Sequence, residues 1–215
     1  MTRIAVLCLL PADVLTYPAC RHLQVAYFDD NAASNKNIEG LTFGDDEAGY
    51  LAGVVAGGVA ALGGKKLGVI GGLPITPVIK FIDGFTNGAL YSCPDCVTTA
   101  IYCPFGGAPE EDTGDGHVCP GEFADVAFGV NLAKYFLDQE VDVIFGAGGL
   151  TGSAGIKYAS APSGTMFSVT GATSYSGTKT ERGTPYVVGV DKDEYYTTFD
   201  SGAWPGAARS LAVYA

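Results

Sequence analysis

Short uninterrupted apolar runs recur along this chain, and each gives way within a few residues to a stretch with helical spacing. Val141-Asp142-Val143-Ile144-Phe145 and Leu67-Gly68-Val69-Ile70 are runs of the kind that suits strands covered on both faces. Strands are expected at Ile4–Leu10, Val25–Asp29, Glu39–Phe43, Leu67–Gly71, Val97–Tyr102, Val141–Gly146, Met166–Thr170 and Tyr186–Asp191. Between them, a helix capped by Asp45 or Asp46 carries Ala48, Leu51, Ala52, Val55 and Val59 on one face. A second presents Val78, Ile79, Ile82 and Phe85, a third covers Phe123 to Leu137, and a fourth starts near Thr151. Strand–helix alternation implies parallel βαβ units with right-handed crossovers, and so a doubly wound α/β sandwich.

Composition narrows the classes of function. There are 31 glycines among 215 residues and only 16% charged residues, which points to tight turns and backbone-lined sites, not to disorder. The net charge of −11, with no Lys/Arg cluster, argues against nucleic acid and against an anionic membrane surface. No run of about 18 apolar residues is long enough to cross a bilayer. The first ten residues read as a buried strand, because Pro11 and Asp13 follow the apolar run at once and no small-residue cleavage site stands out.

Six cysteines are disulfide candidates. Cys8 and Cys20 bracket a short loop, Cys93 and Cys96 sit in Cys-Pro-Asp-Cys, and Cys103 and Cys119 bracket a Gly- and acid-rich insertion over residues 104–121. Pairing at loop edges suggests an oxidising compartment, though six cysteines allow 15 connectivities. A zinc site using Cys93, Cys96, Cys103, His117 and Cys119 is the alternative, but its spacing is irregular. A redox pair is a weaker one, since Cys93 and Cys96 precede a strand where redox pairs open a helix.

Three places carry binding chemistry. In the first, the strand ending at Phe145-Gly146 runs through Ala147-Gly148-Gly149 into a helix, where N–H groups favour an anion or a hydroxyl oxygen. A phosphate loop would need a Lys after Gly152, a dinucleotide site an acid ending the next strand, and a hydrolase elbow a glycine where Thr151 stands. The bland alternative is a tight turn that lets helix and strand pack closely. In the second, Asp191 is read as ending a buried strand, where an ionised carboxylate can accept hydrogen bonds from two neighbouring hydroxyls; otherwise it is a cap or loop residue. The third is Asp29, again an acid at a strand's carboxyl end, or else part of a turn cluster with Asp30 and Asn31. Phe123, opening the helix after the insertion, is either a core residue or an aromatic that stacks on a flat ligand. No Ser/His/Asp arrangement suggests catalysis.

Four blocks in order and at matching spacing resemble the basic membrane protein family, the substrate-binding lipoproteins of nucleoside importers of the ABC type. They are Phe43-Gly44-Asp45-Asp46-Glu47-Ala48-Gly49-Tyr50-Leu51-Ala52-Gly53; Leu67–Gly72 with Pro77–Phe85; Asp142–Gly152; and Val188–Asp193. The resemblance implies a type I periplasmic binding protein fold, two α/β lobes joined by hinge strands with ligand in the cleft. It assigns residues 1–44 to part of a first lobe, 45–200 to a complete second lobe and 201–215 to the start of the return. Phe123-Ala124-Asp125 is similar to the family's Phe-x-Asp whose ring stacks on the base. Gly148-Gly149 is similar to the segment near the sugar, Asp191 to the ribose carboxylate, and Asp29 to the acid closing a first-lobe strand. It further implies a nucleoside-like ligand, an ABC permease as partner, no cofactor and an extracellular, periplasmic or membrane-anchored setting. The family's early Asp-x-Ser-Phe-Asn-like strand and its closing Ser-Ala-x-Lys are missing, so the expectation is a member shortened at both ends. The alternative function is an α/β enzyme acting on nucleosides, or a redox or zinc protein.

Overall fold

The structure, a computed structural model, describes residues 4–6, 25–28, 38–41, 43–103, 123–161, 166–167, 175–176, 185–191, 194–199 and 211. They fall into two compact units, residues 1–44 and 45–215. In the first, β1 (Ile4–Val6) pairs antiparallel with β2 (Val25–Phe28), which pairs in parallel with β3 (Ile38–Leu41). The third expected strand therefore stops at Leu41, short of Phe43.

The second unit is a four-stranded, all-parallel sheet. Its strands are β4 (Lys66–Gly71), β5 (Val97–Ile101), β6 (Val143–Ala147) and β9 (Tyr186–Val188), in the order β5-β4-β6-β9. Helices α1 (Asp45–Ala60) and α2 (Thr76–Ser92) cover one face, and α3 (Val126–Asp138) and α4 (Gly149–Ala159) the other. Side-chain alternation feeds both cores. Leu67, Val69, Val143, Phe145 and Val188 point to α1 and α2, while Ile70, Ile144 and Val187 point to α3 and α4. Phe85 stacks on Phe145 with ring centroids 4.7 Å apart. A two-stranded antiparallel pair, β7 (Met166–Phe167) with β8 (Tyr175–Ser176), and a short α5 (Glu194–Thr197) complete the described elements.

Helix α1 buries only part of the face its hydrophobicity marks: Ala52 is buried and Val59 packs half-buried against the core, but the larger Leu51 and Val55 do not. Leu51 is 64% exposed and Val55 48%, whereas Gly49, Ala52, Gly53, Ala56, Gly57 and Ala60 are buried. The cause is close packing against α2. A Cβ on Gly49, Gly53 or Gly57 would overlap the backbone of Phe81, Phe85 or Ala89, and one on Gly84 or Gly88 would overlap Asp46 or Tyr50. The two helices run parallel, backbone to backbone, along a seam only glycine fits. The small residues thus form the contact and the larger apolar ones are turned outward.

Asp142 holds the amino-terminal edge of the sheet. Its carboxylate accepts from the N–H of Gly64 at 2.8 Å and of Lys66 at 3.1 Å. Its own N–H donates to the Lys66 carbonyl, and its carbonyl accepts from Tyr186 N–H. One residue therefore anchors β4, β6 and β9 before their ladders begin.

Candidate functional site

The chain passes from β4 outward to β5, then crosses back to β6 and on to β9. The winding direction reverses between β4 and β6, and the crevice beyond the carboxyl ends at such a switch point is where open α/β sheets bind ligands. Gly71-Gly72 leaves β4 there and Gly148-Gly149 leaves β6. Gly72 N–H donates to the Ala147 carbonyl at 3.0 Å, and a Cβ on Gly148 would lie 2.8 Å from Gly72 N, so the two turns touch. Gly149 has φ +57°, a left-handed conformation natural to glycine.

Phe123 lies over this pair of turns. A Cβ on Gly72 would run into its ring, and one on Gly149 would come within 3.0 Å of its carbonyl oxygen and 3.1 Å of its Cβ. The Phe123 carbonyl accepts from Thr151 N–H at 3.1 Å, so that α4 amide is already engaged within the chain. Phe123 and Ala124 form a turn, and α3 starts only at Val126, three residues later than expected. The reason is Asp125, whose side chain caps α3 by accepting from Phe128 N–H at 2.8 Å. Fourth in the set, α4 begins at Gly149, two residues before the expected Thr151.

Asp191 is placed differently from its sequence reading. Strand β9 ends at Val188, and Asp191 follows three residues later as an exposed residue at φ +64°. The apolar Val190 prolonged the run without prolonging the ladder. The parallel pairing of β9 with β6 still puts Asp191 at the carboxyl-terminal edge that carries Gly148 and Phe123. Asp29 lies outside the described residues.

Other polar groups at this edge escaped the sequence reading. Glu194 is buried and accepts from Ser153 Oγ at 2.8 Å on one oxygen and from the Thr198 hydroxyl on the other. Residues 41 apart in sequence give no signal of such a pair. Tyr102, just past β5, packs its ring against Gly71. Its hydroxyl pKa is raised above the usual phenol value by burial first and by the Asp83 carboxylate second. Between the outer flanks of α1 and α2 runs an open groove of about 690 Å³ lined by Asp46, Glu47, Tyr50, Lys80, Asp83 and Asn87 among others. None of the described candidate binding residues, Phe123, Asp125, Gly148, Gly149 and Asp191, lines it.

Cys93 and Cys96 form a disulfide, Cα atoms 5.3 Å apart, that closes the turn between α2 and β5. Cys103 is also disulfide-bonded. Cys8, Cys20, Cys119 and His117 lie outside the described residues. Oxidised Cys93, Cys96 and Cys103 are not thiolate ligands, which corrects the zinc alternative. Among the described residues no group of three or more His, Cys, Asp or Glu could hold a metal. Among them, too, no helix is long and apolar enough to cross a membrane.

This architecture is similar in fold to that of a solved ABC-type solute-binding protein. A crystal structure of such a protein from Aeropyrum pernix K1 matches 80% of this chain and 41% of that one, with a TM-score of 0.54 and 22% identity, which establishes likeness of fold. By sequence, residues 18–104 match the Bmp family, described as ABC transporter substrate-binding protein, PnrA-like. Over those residues the chain is similar to that family, the one its sequence blocks resemble. It is 27% identical over 182 residues to basic membrane protein A1 of Borrelia garinii subsp. bavariensis, covering 83% of this chain and 42% of the relative. It is also 27% identical over 168 residues to the ABC transporter nucleoside-binding protein BmpA of Lactococcus lactis subsp. cremoris, covering 78% and 39%. The chain thus spans about two fifths of the length of these relatives.

Proposed function

We propose that this chain grips a small polar solute, of the nucleoside class, at the carboxyl edge of its parallel sheet, and releases it unchanged. The observation that carries this reading is the packing of Phe123 on Gly72 and Gly149 where the Gly72 and Gly148 turns touch at the switch point: a half-buried aromatic beside glycine-lined turns. A flat base stacks on the exposed part of such a ring, and a turn without side chains leaves room for a sugar beside it. Asp191 supplies the carboxylate for vicinal hydroxyls. The nucleoside class is favoured by the printed name of the Lactococcus relative. The same relatives favour a setting outside the cytoplasm and delivery to an ABC-type importer, and the Cys93–Cys96 disulfide agrees with an oxidising compartment. In this reading residues 45–200 form the second lobe and residues 1–44 part of the first.

Calorimetric titration with purine nucleosides tests it. Asp191→Ala is expected to abolish binding, and Phe123→Ala to weaken it by about 1–3 kcal/mol, the range for loss of one base-stacking aromatic. Unchanged affinity in Asp191→Ala, or steady nucleoside turnover by the wild-type chain, refutes the reading.

A further inference from the structure

Glu194 is the buried charge at this edge that the proposed site leaves unexplained. It is 5% exposed, its partner Ser153 is 4% exposed, and both of its carboxylate oxygens are occupied by hydroxyl donors. Burying a carboxylate is costly, and hydrogen bonds offset that only when they are well aimed. The bond from Ser153 joins two segments, while the one from Thr198 is local to the turn that Glu194 opens. Ser153 lies four residues beyond Gly149, in the first turns of α4, while Glu194 opens α5 just after Asp191. The Glu194 stem also lies on Gly189: a Cβ there would overlap Glu194 Cγ and come within 3.2 Å of its Cβ and Cδ. Between Gly189 and Glu194 stands Asp191 at φ +64°, a left-handed conformation that Asp reaches more readily than most side-chain-bearing residues but that still costs free energy and gains from a fixed support.

We infer that Glu194 is the positioning residue of Asp191: by clasping Ser153 and covering Gly189, it holds Asp191 in its left-handed conformation and sets the direction of the Asp191 carboxylate. The ligand consequence rests on the proposed reading of Asp191 as the hydroxyl-binding group. The conformational part does not. A carboxylate that must meet two hydroxyls at once needs such a fixed support, because small misplacements weaken directional contacts.

The test uses the whole chain, isotope-labelled for NMR, with adenosine and 2′,3′-dideoxyadenosine as probes. Glu194→Ala removes the clasp, and Ser153→Ala removes one hydroxyl with little threat to folding. Glu194→Gln keeps the shape and can still bond both hydroxyls. The alanine variants should shift the amide resonances of Gly189, Val190 and Asp191. They should also lower adenosine affinity by roughly tenfold or more, the worth of a charge-assisted hydrogen bond. Affinity for the dideoxy analogue should change less than about twofold, and Glu194→Gln should restore adenosine binding. A general loss of structure would weaken both ligands alike, and that outcome overturns the inference. Unmoved 189–191 amides in Ser153→Ala overturn it equally. Asp191→Ala is run in parallel. If it leaves adenosine affinity unchanged, the nucleoside reading fails on its own, while the amide shifts still decide the role of Glu194.

Discussion

Replacing Gly53 with alanine puts one methyl into the seam between α1 and α2. The added carbon would overlap the Phe85 carbonyl oxygen and lie 2.7 Å from the Phe85 carbonyl carbon and 2.9 Å from Ala89 N. All three are backbone atoms of a packed helix, so no flexible side chain can swing away. Restoring ordinary contact parts the helices by about 1 Å, and a gap of that size forfeits a quarter to a half of each contact along the seam. Overpacking of this kind costs about 1–3 kcal/mol, against about 1 kcal/mol that alanine gains over glycine in helix propensity. The expected net loss is up to about 2 kcal/mol, or a melting temperature lower by up to about 8 °C for a unit of this size. Gly58, on the same helix, has no atom within 4 Å of a built Cβ. Gly58→Ala should therefore stabilise by about 0.5–1 kcal/mol. Urea denaturation followed by circular dichroism measures both, with midpoints compared at equal slope. If Gly53→Ala is as stable as Gly58→Ala, the backbone-to-backbone account of the seam is wrong.

Two further outcomes follow from groups beside the site. Asp125→Ala should cost about 1 kcal/mol by leaving the Phe128 amide uncapped, while Asp125→Asn keeps an accepting oxygen and most of the stability; equal urea midpoints for the two would sink the capping role. For Tyr102, a folded-state pKa above the unfolded one favours the neutral phenol in the native state. That stabilisation is complete below the ordinary phenol pKa of about 10 and is lost as pH rises through it toward the raised value. Wild type should therefore lose stability relative to Tyr102→Phe above about pH 10, and a constant difference between their urea midpoints from pH 8 to 11 would contradict this.

Fold class was legible because continuous apolar runs and helical spacing report burial directly. The strands of the four-stranded sheet and the buried Val78, Ile82 and Phe85 of α2 follow from that pattern, though Ile79, read on the same face, is exposed. The buried face of α1 was only partly legible, because its contact depends on residues without side chains, and hydrophobicity says nothing about what an absent Cβ permits. Strand β9 was overextended for the opposite reason: Val190 is apolar and buried, yet past the last ladder pair. At the candidate site, Phe123, Gly148 and Gly149 stood out as residue types, but only the folded chain puts Phe123 against Gly72, 51 positions earlier in sequence. The Ser153–Glu194 pair was hidden because neither residue is unusual until its burial is known.

Asp142 has a consequence at the far end of the sheet from where it sits. With Gly64, Lys66 and Tyr186 all hooked to one residue, β6 has a single alignment against β4 on one side and β9 on the other. That alignment makes Gly71 and Ala147 neighbours, so both glycine turns leave the sheet at the same height. Sliding β6 by one position would turn every β6 side chain to the wrong layer, and in one direction would face Gly72 with Ala147. The glycine floor beneath Phe123 is therefore fixed by a carboxylate a full strand length away, and Asp142→Ala should blur that floor without touching it.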